Sequence, residues 1–278
     1  MKWDILHRTT YHYAAPVRDS FNEVRLQPMA TDHQRVDSFL LKVYPPSRLA
    51  HYQDFYHNII HHFEIPEPHG SLVVESVARV STLPGSQLPK DAAPFPLARI
   101  EEAVVWERCY DFLQPSRYVD LAPETWRMAL DAIAAETDTW QAAQALMRFV
   151  YGHLKYESAS THVHTHMRDV LAQRRGVCQD FAHVLLGLCR AVKIPARYVS
   201  GYLATEAASA THAWIEVLLP GLGWRGLDPT HNCQPGETYV KLAVGRDYAD
   251  VAPVSGHYVG TTERRLEVLV RLRPVEVE

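Results

Sequence analysis

The chain has 278 residues, of which 47% are hydrophobic and 22% charged, with a formal net charge of −4. These values suit a globular protein of one large or two modest domains. The weak negative charge argues against nucleic acid or an anionic membrane as partner, and no apolar run reaches the length of a membrane span. The 16 histidines should swing the charge positive below neutral pH. The four cysteines, Cys109, Cys178, Cys189 and Cys233, form no CxxC pair, so reduced thiols in the cytoplasm are expected. Met1 to Arg8 has neither the apolar stretch nor the cleavage site of a leader peptide.

Residues 1–83 read as β-structure. Ser38 to Tyr44 is rich in apolar and β-branched residues before Pro45-Pro46, and Leu72 to Val80 partly alternates. Tyr11, Tyr13, Tyr44, Tyr52, Phe55 and Tyr56 supply aromatic bulk, so an antiparallel β-sandwich domain is expected. Leu83-Pro84-Gly85-Ser86 with Pro89, Pro94 and Pro96 makes 84–98 a stiff linker. Residues 99–278 are expected to form a second domain.

Helix signals begin at Pro123, with Trp126, Ala129, Leu130 and Ile133 at helical spacing. Asp138-Thr139-Trp140-Gln141 resembles a capping box that opens a helix to about Leu154. A third helix runs from Val177 to about Val192, with Phe181, Val184, Leu185, Leu188 and Val192 in one stripe, and stops at Lys193-Ile194-Pro195. Strands follow at Arg197–Leu203, Ala213–Leu219 and Trp224–Leu227, and near the end at Glu267–Leu272. Helices first and strands after indicate an α+β domain.

Chemistry concentrates in three short stretches. Cys178 lies between Gly176 and the third helix, where the positive end of the helix dipole favours thiolate. A lone cysteine is more often a small hydrophobe, and Cys189, deep in the same helix, reads that way; Cys109 and Cys233 have no catalytic partner nearby. His212 opens a strand, far enough from Cys178 for helix, strand and loop to return it to the thiol. Asp228 lies across a hairpin whose turn is Pro220-Gly221-Leu222-Gly223; strands about 4.8 Å apart allow a hydrogen bond to His212, although Asp-Pro is commonly only a turn. Thiol, imidazole and carboxylate in this order suit nucleophilic acyl transfer. The Cys178 N–H is one oxyanion donor, and Gln173, Tyr156 and Trp214 are candidates for a second or for substrate contact. Arg174 and Arg175 could tune the thiol or meet substrate carboxylates, or simply be solvated.

Gly176-Val177-Cys178-Gln179-Asp180-Phe181-Ala182, Arg197-Tyr198-Val199-Ser200-Gly201-Tyr202, Thr211-His212-Ala213-Trp214 and Leu227-Asp228-Pro229-Thr230 resemble the core of the bacterial transglutaminase-like superfamily. Asn22 to Pro28 and Asp54 to Asn58 resemble that family's N-terminal β-domain, apart from His57, where a glycine is expected. The resemblance implies a papain-like catalytic domain after a β-sandwich, with Cys178, His212 and Asp228 as triad. It implies a cysteine peptidase or amidase acting on a peptide or protein amide, with glutamine transamidation as the runner-up. A binding module with a disused site is a third reading. No cofactor is expected, calcium included. His162, His164 and His166 could face a zinc ion if that segment were a strand, but a solvated cleft rim is expected and no metal. The cluster of His57, His61 and His62 is expected at the surface. Oligomeric state is not legible.

Overall fold

The computed structural model describes residues 1–89, 91–102, 109–158, 160–204 and 209–275. The first third contains β1 (Lys2–Val24), β2 (Gln34–Tyr44), β3 (Ala50–Gln53), β4 (Ile59–Ile65) and β5 (His69–Thr82). Trp3, Ile5, His7 and Thr9 alternate inward along β1, and Leu72, Val74, Ser76, Ala78 and Val80 along β5, as in a sheet with one covered face. No strand or α-helix forms among the described residues of 84–98, and its prolines and Gly85 account for that.

The middle of the chain is helical. α1 (Pro123–Ile133) starts with proline, whose missing N–H costs nothing at that position. Its buried face is Thr125, Ala129 and Ile133; Trp126, expected inward, is half exposed. α2 (Thr139–His153) is capped by the Asp138 carboxylate, which accepts the Gln141 N–H. Two-residue strands β6 (Lys155–Tyr156) and β7 (Arg175–Gly176) pair in parallel around α3 (Met167–Gln173), a helix too short to show a stripe in sequence. α4 (Cys178–Ala191) is buried on all sides from Gln179 to Ala191, not on one stripe, because the other helices pack around it and a sheet covers the rest.

That sheet is antiparallel, in the order β10 (Gly223–Leu227), β9 (Ser209–Leu219), β8 (Ala196–Ala204), β11 (Tyr239–Gly245). Gly221 and Gly223 adopt φ of 72° and 77°, which forms the expected tight turn between β9 and β10. Ala213, Ile215 and Val217 face the helices. By strand alternation His212, Trp214 and Glu216 share the opposite face. β11 is flanked by polar turns and was not legible as a strand.

The short α5 (Tyr248–Val251) leads into β12 (Val254–Val259) and β13 (Arg264–Pro274). Both leave the second domain and pair with β1. The first half of β1 lies between β5 and β13, and its second half between β4 and β12. The expected division at 84–98 is therefore corrected: residues 254–274 complete the N-terminal sheet. Without them one edge of β1 would be unpaired along its whole length. A shared core joins Tyr202, Val240 and Leu242 of the second sheet to Trp3, Ile5, Phe63 and Leu72 of the first. Asn58 Nδ2 donates to the Val244 carbonyl at 2.8 Å, and Asn58 Oδ1 accepts the Val244 N–H at 2.8 Å. No helix among the described residues is long and apolar enough to cross a membrane.

Candidate active site

Cys178 is the first residue of α4. α3 ends at Arg174 in a left-handed turn, φ 53°, and β7 carries the chain to the head of α4. A Cβ on Gly176 would lie 2.6 Å from the Asp180 side chain, so only glycine lets the first turn fold back this closely. The Asp180 carboxylate accepts the Val177 N–H at 2.8 Å and the Thr161 hydroxyl at 2.6 Å, which is half of a capping box, since valine cannot supply the reciprocal acceptor. Burial raises the Asp180 pKa and these two bonds oppose the rise. The thiol thus sits on a fixed helix terminus.

His212 faces it from β9. Its Nε2 is 2.7 Å from Asp228 Oδ2, and Cys178 lines the same cleft as the ring. Asp228 has no exposed surface. Its Oδ2 also accepts from His231 Nδ1 at 2.7 Å and from the Tyr239 hydroxyl at 2.8 Å, while Oδ1 accepts the Thr230 N–H at 2.8 Å. The Asp-Pro turn after β10 wraps the carboxylate in this way. Burial alone would raise the Asp228 pKa, but hydrogen bonds from His212 and His231 hold it well below the usual carboxylate range. Burial alone would lower the His212 pKa; the Asp228 and Cys178 hydrogen bonds and charges prevail and push it up to about 9. The imidazole is therefore cationic at neutral pH.

Cys178 and His212 line a cleft of about 330 Å³. One wall comes from the N-terminal sheet: His7, Thr9 and Tyr11 of β1 with Leu266 and Val268 of β13. Among the described residues the lining contains no Asp, Glu, Lys or Arg, and burial lowers the His7 pKa to about 4, so that ring is neutral. Gln179 lines the floor and donates to the Val163 carbonyl at 3.0 Å.

The other sequence candidates separate. Burial, then the neighbouring Cys178 charge, raises the Tyr156 pKa; the side chain is half exposed and does not line the cleft. Gln173 is exposed at the end of α3 and does not line the cleft, because the left-handed turn at Arg174 separates it from the thiol. Trp214 does not line the cleft either; it is buried behind it, stacked on His212 at 6.1 Å. Arg175 pairs with Glu157 at 3.1 Å. His162 to His166 forms no strand: His164 bonds the Tyr118 hydroxyl and His166 caps α3. His57 takes φ 66°, the conformation that the expected glycine would favour. Burial raises the Cys189 pKa to about 12, as suits a packed thiol, and no disulfide forms among the described residues.

Among the described residues, His212, Asp228 and His231 place one ligand atom each within 4.8 Å of one another. Both imidazole nitrogens already hold the same carboxylate oxygen, so a metal there would displace the bonds that orient His212. His231 and Tyr239 were missed in the sequence. Asp-Pro-Thr-His is a turn signature from which His231 could have been read; the partnership of Tyr239 depends on β11, which no local pattern announced.

Residues 127–229 match the transglutaminase-like superfamily, and residues 3–81 match the bacterial transglutaminase-like N-terminal region. An uncharacterized Mycobacterium leprae protein is 34% identical, with 96% of this chain and 97% of its own length covered. A protein-glutamine gamma-glutamyltransferase of Pseudomonas aeruginosa is 36% identical over 72 residues, which cover 22% of this chain and 11% of that enzyme. A solved structure from Cytophaga hutchinsonii, assigned there as a candidate cysteine protease, aligns with a TM-score of 0.79 at 24% identity and covers 100% of this chain and 92% of its own. The chain belongs to the transglutaminase-like superfamily, with the papain-like fold of that superfamily and its bacterial N-terminal region.

Proposed function

We propose that this protein is a thiol-dependent amide acyl-transfer enzyme, first of all a cysteine peptidase or amidase, working through Cys178, His212 and Asp228 on an α+β catalytic unit. One observation carries this reading: a thiol at a helix head neighbours an imidazole whose Nε2 is 2.7 Å from a fully buried carboxylate. The Cys178 thiolate attacks the amide carbonyl carbon, and the carbonyl oxygen takes up the negative charge. N–H groups in the first turn of α4, including that of Cys178, face no intrahelical acceptor and stabilise this oxyanion. The C–N bond breaks, the leaving amine takes a proton from His212, and a thioester remains. Water then attacks with His212 as base, the acid leaves, and the thiolate returns. Asp228 holds the ring and stabilises its charge throughout.

A cleft whose described lining holds no Asp, Glu, Lys or Arg, and so no charge beyond the reacting pair, favours a peptide or protein amide flanked by apolar or aromatic groups. Nucleic acid and membrane have no part in this reading. The test is a peptide-library digest comparing the protein with Cys178→Ala. Cleavage that disappears in the variant supports the proposal; identical digests end it. Transamidation is the second reading, favoured by the local identity with the Pseudomonas aeruginosa enzyme. Mass spectrometry of a glutamine peptide with added amine separates the two: a product that contains the amine selects the transferase.

A further inference from the structure

Behind the triad lies a second cavity, of about 400 Å³, on the face of the antiparallel sheet turned away from α4. Arg197, Glu216, Arg225, Lys241, Trp214 and Trp224 are among its lining residues. Glu216 sits between two cations: Arg197 donates to its Oε2 at 2.7 Å, and Lys241 bonds its Oε1. Arg197 and Lys241 are largely buried, with side chains 17% and 16% exposed. One carboxylate therefore serves two buried positive charges.

Arg225, on the edge strand β10 opposite the helix-facing Val217, lines the rim of the cavity. Its Nη1 donates to the Trp224 carbonyl at 3.1 Å, its Nε is buried with no partner, and no described carboxylate lies within ion-pair distance of it. Asp32 also lines the cavity, but it is exposed and forms no ion pair among the described residues. The Lys241 pKa is lowered: burial outweighs the attraction of Glu216, and Arg197 adds repulsion. Buried cations without full compensation are costly. The Arg197 guanidinium and the Lys241 ammonium carry donors beyond those bonded to Glu216, and the Arg197 guanidinium is held over the Trp224 ring at 4.2 Å, which fixes its direction.

We propose that this cavity binds a small molecule through a carboxylate or phosphate group, with Arg197, Arg225 and Lys241 as its ligands. The site shares two walls with the triad. Trp214 lines the cavity and stacks on His212, and Tyr239 lines it and donates to Asp228. An occupant would thus brace the two residues that support the catalytic imidazole.

The experiment measures thermal unfolding and tryptophan fluorescence of the full chain with inorganic phosphate or succinate, against sodium chloride at matched ionic strength. Neither readout depends on catalysis. A saturable rise in Tm beyond that in chloride is expected with at least one probe. Phosphate alone, or succinate alone, then identifies which anion the site takes. Arg225→Gln should weaken that binding by roughly tenfold or more. Leu83→Glu, at an exposed lining position, should weaken it without disturbing the buried charges. A response equal to that in chloride, or one unchanged in the variants that fold, overturns the proposal.

Discussion

A carboxylate with no exposed surface needs donors, and Asp228 takes them from His212, His231 and Tyr239. Their number keeps it ionised, and the ionised form keeps His212 charged. Asp228→Asn should therefore lower kcat by roughly 10³- to 10⁴-fold with little change in overall fold, as steady-state kinetics and circular dichroism would show. The elevated His212 pKa also has a sign in stability. Because it is raised in the folded state, from 6.5 to about 9, its contribution is complete below about pH 6.5 and is lost as pH rises through about 9. Urea denaturation across that range should show the wild type losing stability relative to His212→Gln, and a flat difference would contradict the assignment. The alkaline limb of kcat/KM should fall near the same pH, where the imidazolium loses its proton. Tyr156→Phe tests the remaining side-chain donor candidate: a loss in kcat with KM unchanged marks an oxyanion contact, and no loss assigns Tyr156 to the rim.

At the level of elements, the head of α4 is where sequence and chemistry meet. Gly176, Val177 and Asp180 are a local device: close approach, an extended cap residue and a carboxylate folded back on it. Gly176→Ala should cost about 1–3 kcal/mol by overpacking against Asp180 and displace the thiol, so urea midpoints and activity should fall together. Capping and stop signals made α1, α2 and α4 legible to within a residue or two of their ends. The all-round burial of α4 was not, because a stripe in sequence reports one covered face and the others depend on which helices arrive later. The outward Trp126 is the same limitation one residue off: periodicity gives a face its width but only packing chooses its centre.

For the molecule as a whole, the decisive event is the return of the C-terminal strands to β1. It places Leu266 and Val268 in the cleft, so the N-terminal sheet forms part of the cleft wall. Leu266→Asp should leave stability nearly unchanged, since the residue is half exposed, yet shift cleavage from apolar toward basic flanking residues in the library digest. A fragment starting at residue 99 should fail to fold cooperatively, because Tyr202, Val240, Leu242 and Leu272 lose the apolar partners that cover them. Size-exclusion chromatography and circular dichroism would show an aggregated or partly folded species, and a monomeric, fully structured fragment would contradict the shared core.

What the sequence determined by itself is the set of local devices: the helix caps, the hairpin turn of β9 and β10, the glycine before the thiol, and the order of thiol, imidazole and carboxylate. Each depends on neighbours within a few residues, and backbone sterics and hydrogen bonding act at that range. Tertiary structure alone decided that Tyr239 of β11 meets Asp228 and that residues 254–274 belong to the first sheet. Those outcomes arise from pairings between distant segments, where burial and edge-strand hydrogen bonds choose among partners that local pattern cannot rank.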